Sequence, residues 1–246
     1  MKNFNEFINE KKISYKKELN PDIWEGKTLI PRIEEKLLRI ARDFFEDLKL
    51  DTEIVDIQLV GSMANYNYTT SSDLDIHIII NFSDVNDDIL LVKKAVDGDR
   101  FMWNLRHNIV IKGHDVEIYV QDVNENLSSA GKYSLLNHKW IKFPTYNPPN
   151  VDTKDIDPKY DARVYDIEEL EKLSKTDLDS SDAELYYKKA KDLKSKIQKA
   201  RKASLENDPS NEFSIENLVF KRLRNNGDIK KLLDVTTRLY DMIYSQ

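Results

Sequence analysis

Cysteine is absent from the 246 residues. Disulfides, thiolate metal sites and cysteine nucleophiles are therefore excluded, and any bound metal must rely on oxygen or imidazole ligands. Histidine is scarce: His77, His107, His114 and His138 are the only four. All lie before residue 144, which excludes a histidine-dependent ribonuclease in the C-terminal part. No apolar run approaches the ~20 residues that span a bilayer. The first residues, with Asn3, Asn5, Glu6 and Asn9, lack the apolar centre of a secretory signal. These absences predict a cytoplasmic protein with no membrane partner. Glycine is limited to six residues, so a glycine at a strand end carries information.

Hydrophobic residues make up 40% and charged residues 33% of the chain, a wet composition that still holds enough branched and aromatic side chains to fold. At roughly 100 to 200 residues per domain, the length favours two domains. The net charge of -6 is uneven, since residues 181–246 contain 14 Lys/Arg against 10 Asp/Glu and the remainder 24 against 34. Such a split suits a carboxylate-rich site in front and a weakly anion-attracting surface behind.

Periodicity predicts a helix over 31–49, where Pro31 suits the first turn and Ile33, Leu37, Leu38, Ala41, Phe44, Phe45 and Leu48 form one face. Ile54–Val60 reads as a strand ending at Gly61. Residues 63–68 read as a helical turn, and Leu74–Ile80 as a dense β-branched strand. A second helix is expected over 87–107, with Leu90, Leu91, Lys94, Ala95, Phe101, Trp103 and Leu105 as stations of its apolar face and a break near Gly98. Residues 109–111 and 116–120 read as a hairpin turning through Gly113.

Pro144, Pro148, Pro149 and Pro158, among Asn147, Asn150, Asp152, Asp155 and Asp157, mark a stretch that can form neither long helix nor central strand, and they place the domain boundary in a linker and connecting segment over 144–180. The expected organisation is thus a first domain over 1–143, that linker, and a helical domain over 181–246. In the last, Ser181 and Glu184 form a capping-box pattern, and Tyr186, Ala190, Leu193, Ile197 and Ala200 make a seam. Ser214 is expected to cap a further helix that stops at Asn226-Gly227, and Asp228 to start the next.

The chemistry concentrates between residues 61 and 117. A strand ends in Gly61-Ser62, ten residues follow, and then comes Asp73-Leu74-Asp75-Ile76. Strand residues two apart share a face, so Asp73 and Asp75 project together while Leu74 and Ile76 point into the core. Two adjacent carboxylates repel unless a cation sits between them, and oxygen-only ligands select a hard ion such as magnesium, with manganese as the alternative. Val116-Glu117-Ile118 supplies a third strand acid, with Asp115 in reserve. Gly61 lets backbone amides approach a phosphate closely, and the Ser62 hydroxyl adds a donor. His77 continues the Asp73, Asp75 face, and Arg100, Arg106, Lys112 and Lys132 are candidate cations for pyrophosphate. Eight Lys/Arg between residues 182 and 203 offer contacts for RNA phosphates or form a solvated face.

The stretch GSMANYNYTTSSDLDIHI, Gly61 to Ile78, resembles the signature of the DNA polymerase β-type nucleotidyltransferases. That resemblance implies an α+β fold: a nucleotidyltransferase core of mixed sheet with flanking helices, here followed by a C-terminal helical bundle. It further implies that Asp73 and Asp75 bind the catalytic metals, that Glu117 completes the site, and that Gly61 and Ser62 grip a nucleoside triphosphate. Asn65 and Tyr66 are further candidates for nucleotide contact. The family more often carries Asp as third acid, so Glu117 is a departure that lengthens the arm. Ala64–Tyr68 and Val116–Val120 look like small nucleotidyltransferases common in bacteriophages. The activity implied is transfer of an NMP from an NTP to a hydroxyl of an RNA 3′ end, a nucleotide, a small molecule or a protein. A catalytically silent nucleotide-binding or sensing module is the alternative. The sequence sets no oligomeric state.

Overall fold

The computed structural model describes residues 16–70, 72–126, 129–146, 153–208 and 213–245. The expectations resting on Asn3, Asn5, Glu6, Asn9, Ser71, Asn147, Pro148, Pro149, Asn150 and Asp152 lie outside them. The described residues form an α+β structure with a mixed sheet and seven α-helices, and the chain divides into two units, residues 1–147 and 148–246.

In the first unit a small hairpin, β1 (Trp24–Glu25) and β2 (Thr28–Leu29), precedes helix α1 (Pro31–Leu48). Pro31 sits where a helix has no use for an amide hydrogen. Ile33, Leu37, Ala41 and Phe44 recur at helical spacing and are all buried. At roughly 1.5–3 kcal/mol for each large apolar side chain removed from water, that face is what holds the helix to the sheet.

The main sheet comprises β3 (Ile54–Val60), β4 (Leu74–Ile80), β5 (Val110–Ile111), β6 (His114–Asp122), β7 (Lys132–Ser134) and β8 (Lys139–Lys142), in the order β5-β6-β4-β3-β7-β8. All neighbours are antiparallel except β4 and β6. A parallel pair requires a long crossover, and the short α2 (Phe82–Val85) and the long α3 (Ile89–Arg106) supply it. Ile57, Leu59, Leu74, Ile76, Ile78, Ile118 and Val120 of the sheet share one core with Leu37 and Phe44 of α1 and Val92 and Val96 of α3. The β5–β6 hairpin turns through Lys112 and Gly113, both at positive φ (54° and 85°), the conformation that two-residue hairpin turns favour.

Helix α3 departs from expectation in two ways. It runs unbroken through Gly98, and of its predicted apolar stations only Trp103 packs against the core. Val92 and Val96 are buried and Trp103 is partly buried, whereas Leu90, Leu91, Phe101 and Leu105 are exposed. The helix carries two apolar stripes, and the crossover presents the one through residues 92, 96 and 103 to the sheet.

The second unit contains α4 (Ile156–Leu173), α5 (Ser180–Asn207), α6 (Ile215–Asn225) and α7 (Asp228–Tyr244). Helix α4 corrects the linker expectation for 144–180. Pro158 is the third residue of that helix, within the first turn, where amide hydrogens have no intrahelical acceptor and proline costs little. Ile167 and Leu170 of α4 join Leu193, Ile197, Leu223, Leu232, Val235 and Leu239 in a separate core. The cap of α5 also moves: Asp179, not Ser181, accepts the amide of Asp182 at 2.8 Å. Ser214 precedes α6, and Gly227, at φ 81°, separates α6 from α7. No helix among the described residues is long and apolar enough to cross a membrane.

Candidate active site

Strand register fixes which polar side chains meet. Asp75 of β4 pairs with Glu117 of β6 on one side and Val60 of β3 on the other. Two residues along, His77 pairs with Tyr119 and with Gln58. Because Leu74, Ile76, Ile78, Ile118 and Val120 fill the core, strand alternation sends Asp75, His77, Glu117 and Tyr119 to the opposite face, where all four are half-buried. Asp73, also half-buried, lies one residue before β4 begins.

The Gly61 turn adjoins this row. Gly61 has φ 74° and ψ -155°, a region essentially restricted to glycine. A Cβ built there would overlap the Oδ2 of Asp75, so the carboxylate occupies the space that a side chain would fill. The Gly61 amide donates to Ser129 Oγ at 3.3 Å, and Ser129 Oγ donates to the carbonyl of Gly131 at 2.8 Å. Gly131 itself packs against the backbone of Ala64 so closely that a Cβ would collide with that carbonyl. Segment 129–131 is thereby clamped onto the turn.

Ser62 Oγ donates to Ser72 Oγ at 2.9 Å. Ser72 also accepts the amide of Thr69 at 2.9 Å, and its carbonyl receives His114 Nδ1 at 2.7 Å. A carbonyl can only accept, so the Nδ1 hydrogen is fixed there, and His114 Nε2 lies 3.2 Å from the side-chain amide of Asn20. Buried His114 and Asn20 thus pin the backbone just before Asp73, a role no local sequence signal announces. Asn65 and Tyr66, 2% and 9% exposed, lie behind the turn, and the Asn65 side chain accepts the amide of Tyr66 at 2.8 Å.

Tyr119 donates to Glu117 Oε2 at 2.5 Å. Burial, reinforced by Glu117, holds its phenol far above the usual range, so Tyr119 remains a donor that fixes the acid's direction. Its ring stacks on His77 at 4.8 Å, and the Arg100 guanidinium lies 4.6 Å from the ring centroid. β5 pairs with only the first two residues of β6, leaving α3 beside the outer edge of β6, where Asn104 reaches the carbonyl of Ile118 at 3.5 Å. That position brings Arg100 to the site. Of the other candidate cations, Lys112 occupies the β5–β6 turn and Arg106 ends α3, both exposed. Lys132 begins β7, and burial followed by the proximity of Lys142 lowers its pKa. Lys142 donates to the carbonyl of Ser129 at 2.8 Å, so both lysines border the Gly61 turn. Asp115 is exposed opposite Val110.

Gln121 Nε2 donates to the carbonyl of Glu125 at 2.7 Å, which turns Oε1 toward His77 Nδ1 at 2.9 Å. Nδ1 is therefore the protonated nitrogen. Burial holds the His77 pKa below its ordinary 6.5, with Lys132 and Arg100 acting in the same direction. An unfolded chain takes up a proton near 6.5 that folded His77 resists, so this contribution is complete above pH 6.5 and shrinks as the pH falls. Thermal melts between neutral and mildly acidic pH should show His77→Gln losing less stability on acidification than the native chain. Equal slopes would disprove the assignment.

The eight cations on α5 are partly committed within their own unit. Lys189 lies over Tyr186 and Lys191 over Tyr187 at 5.2 and 5.3 Å, and Arg201 stacks on Phe220 at 4.1 Å while its Nε donates to Asn217.

Among the described residues no three His, Asp or Glu side chains converge closely enough to hold a metal ion. The acids of the row nonetheless offer only oxygen, and Asp75 and Glu117 are direct cross-strand neighbours. That chemistry fits a hard divalent cation rather than a soft one. No protein-family model, no curated protein and no solved structure gives a significant match to this chain.

Proposed function

We propose that this chain is a metal-dependent nucleotidyltransferase of the DNA polymerase β type, which moves an NMP from an NTP to an acceptor hydroxyl and releases pyrophosphate. The observation that carries the reading is the registered pair Asp75 and Glu117 on adjacent parallel strands, with Gly61 packed directly against the Asp75 carboxylate. Acid and turn form one unit, so a group gripped by the turn lies beside the acids.

Asp75 and Glu117, the directly paired acids, would hold magnesium or manganese, with Asp73 drawn in beside them on binding. When bound, such ions activate the attacking hydroxyl and stabilise charge on the departing pyrophosphate. The protein's own part is positioning. Tyr119 aims Glu117, His114 and Asn20 fix the approach to Asp73, and Lys132 and Lys142 place positive charge beside the Gly61 turn. A preorganised polar site of this kind acts through electrostatics and orientation.

The test is incubation with magnesium and each of the labelled nucleoside triphosphates, followed by measurement of pyrophosphate release and of triphosphate binding. Release that a chelator stops supports the reading. Binding without release in any acceptor mixture identifies a silent nucleotide-binding module, and absence of both sinks the proposal.

A further inference from the structure

Five large apolar side chains of α3, Leu90, Leu91, Phe101, Met102 and Leu105, are 42 to 69% exposed. At 100° per residue they fall within about 120° of arc, on the side away from buried Val92 and Val96. Scattered apolar residues on a surface are ordinary, but a continuous stripe along one helix marks a contact surface. Lys94 is the charge within it, and its long stem can carry the ammonium to the rim.

Gly98 lies at the centre of the stripe. It has no positive φ, and a Cβ built there meets nothing within 4 Å. The fold of one copy does not require glycine, which costs a helix interior roughly 1 kcal/mol relative to alanine. A helix crossing this point closely would give that glycine a purpose.

We propose that α3 forms the interface of a two-fold dimer of this chain, with the two helices antiparallel and crossing at Gly98. A two-fold axis makes the contact self-complementary, residue i meeting j and j meeting i. Antiparallel pairing about residue 98 sets Leu91 opposite Leu105 of the second copy and Ala95 opposite Phe101. The same operation brings Asp88, at the start of one helix, to the flank carrying Arg106 at the end of the other. Opposite charges therefore close both ends of an apolar strip, and this is why a second copy fits better than an unrelated segment.

The cysteine-free sequence permits a direct test. Sedimentation should show the native full-length chain passing from monomer to dimer as concentration rises. Gly98→Cys should form a disulfide-linked dimer on mild oxidation, because that position meets its own copy, whereas Val55→Cys, also exposed, should not. Leu91→Glu combined with Leu105→Glu should yield a folded monomer, since both positions face solvent within one copy. A native chain that stays monomeric at every concentration overturns the proposal, as does cross-linking no better at position 98 than at 55. A monomer in which the Gly98→Cys thiol resists alkylation would assign the stripe to a covering segment of the same chain and equally refute the dimer.

Discussion

Asp75→Asn is expected to lower the rate of pyrophosphate release by about a thousandfold or more, equivalent to ~4 kcal/mol of transition-state stabilisation, while leaving the fold intact or more stable. The two halves of this expectation have separate causes. Asparagine keeps the shape that lies against Gly61 but removes one of the anionic oxygens that would hold a divalent ion. The same change relieves repulsion between directly paired acids, since Asp75 faces Glu117 across adjacent strands. A carboxylate kept for chemistry costs stability without its ion, whereas a structural carboxylate contributes to it. Melting temperature measured without metal should stay level or rise in the variant. A clear fall would mean that Asp75 serves the fold, and pyrophosphate release equal to that of the native chain would remove Asp75 from the catalytic set.

Parity and periodicity made part of this arrangement legible. Asp75 and Glu117 stand beside residues that could only be core, so alternation alone sent them to the polar face, whereas Asp73 falls one residue before the strand, and α1 announced itself through one unambiguous apolar stripe. Helix α3 was harder because it carries two stripes, and only the sheet decides which is buried. Pro158 read as a breaker because its distance from the helix start is invisible until the helix exists. Long-range polar partners leave no period at all. Asn20 meets His114 across 94 positions, and Gly61 meets Ser129 across 68. Lys132 and Lys142 arrive on strands of three and four residues, too short to show alternation.

Gly61→Ala should destabilise the first unit by roughly 3 kcal/mol, the sum of a backbone forced into a glycine-only region and an overpacked contact. For a unit of this size that corresponds to a fall in melting temperature on the order of 6–12 °C. The two costs can be separated, because only one of them involves Asp75. At φ 74° and ψ -155° alanine is strained whatever surrounds it. The overlap with Asp75 Oδ2, by contrast, disappears if that oxygen is absent. Asp75→Ala should therefore restore part, but not all, of the stability lost in Gly61→Ala, giving a favourable coupling in a double-mutant cycle. Asp75→Asn should show no such coupling, since its amide fills the same space and any gain from relieved repulsion is the same with or without Gly61→Ala. Strict additivity of Gly61→Ala and Asp75→Ala would show that the carboxylate and the turn are independent, and the glycine would then need another explanation. Coupling would establish that the acid's position dictates the glycine. On that basis the Gly-Ser turn and the strand acid Asp75 are one structural device, tied together before any substrate arrives.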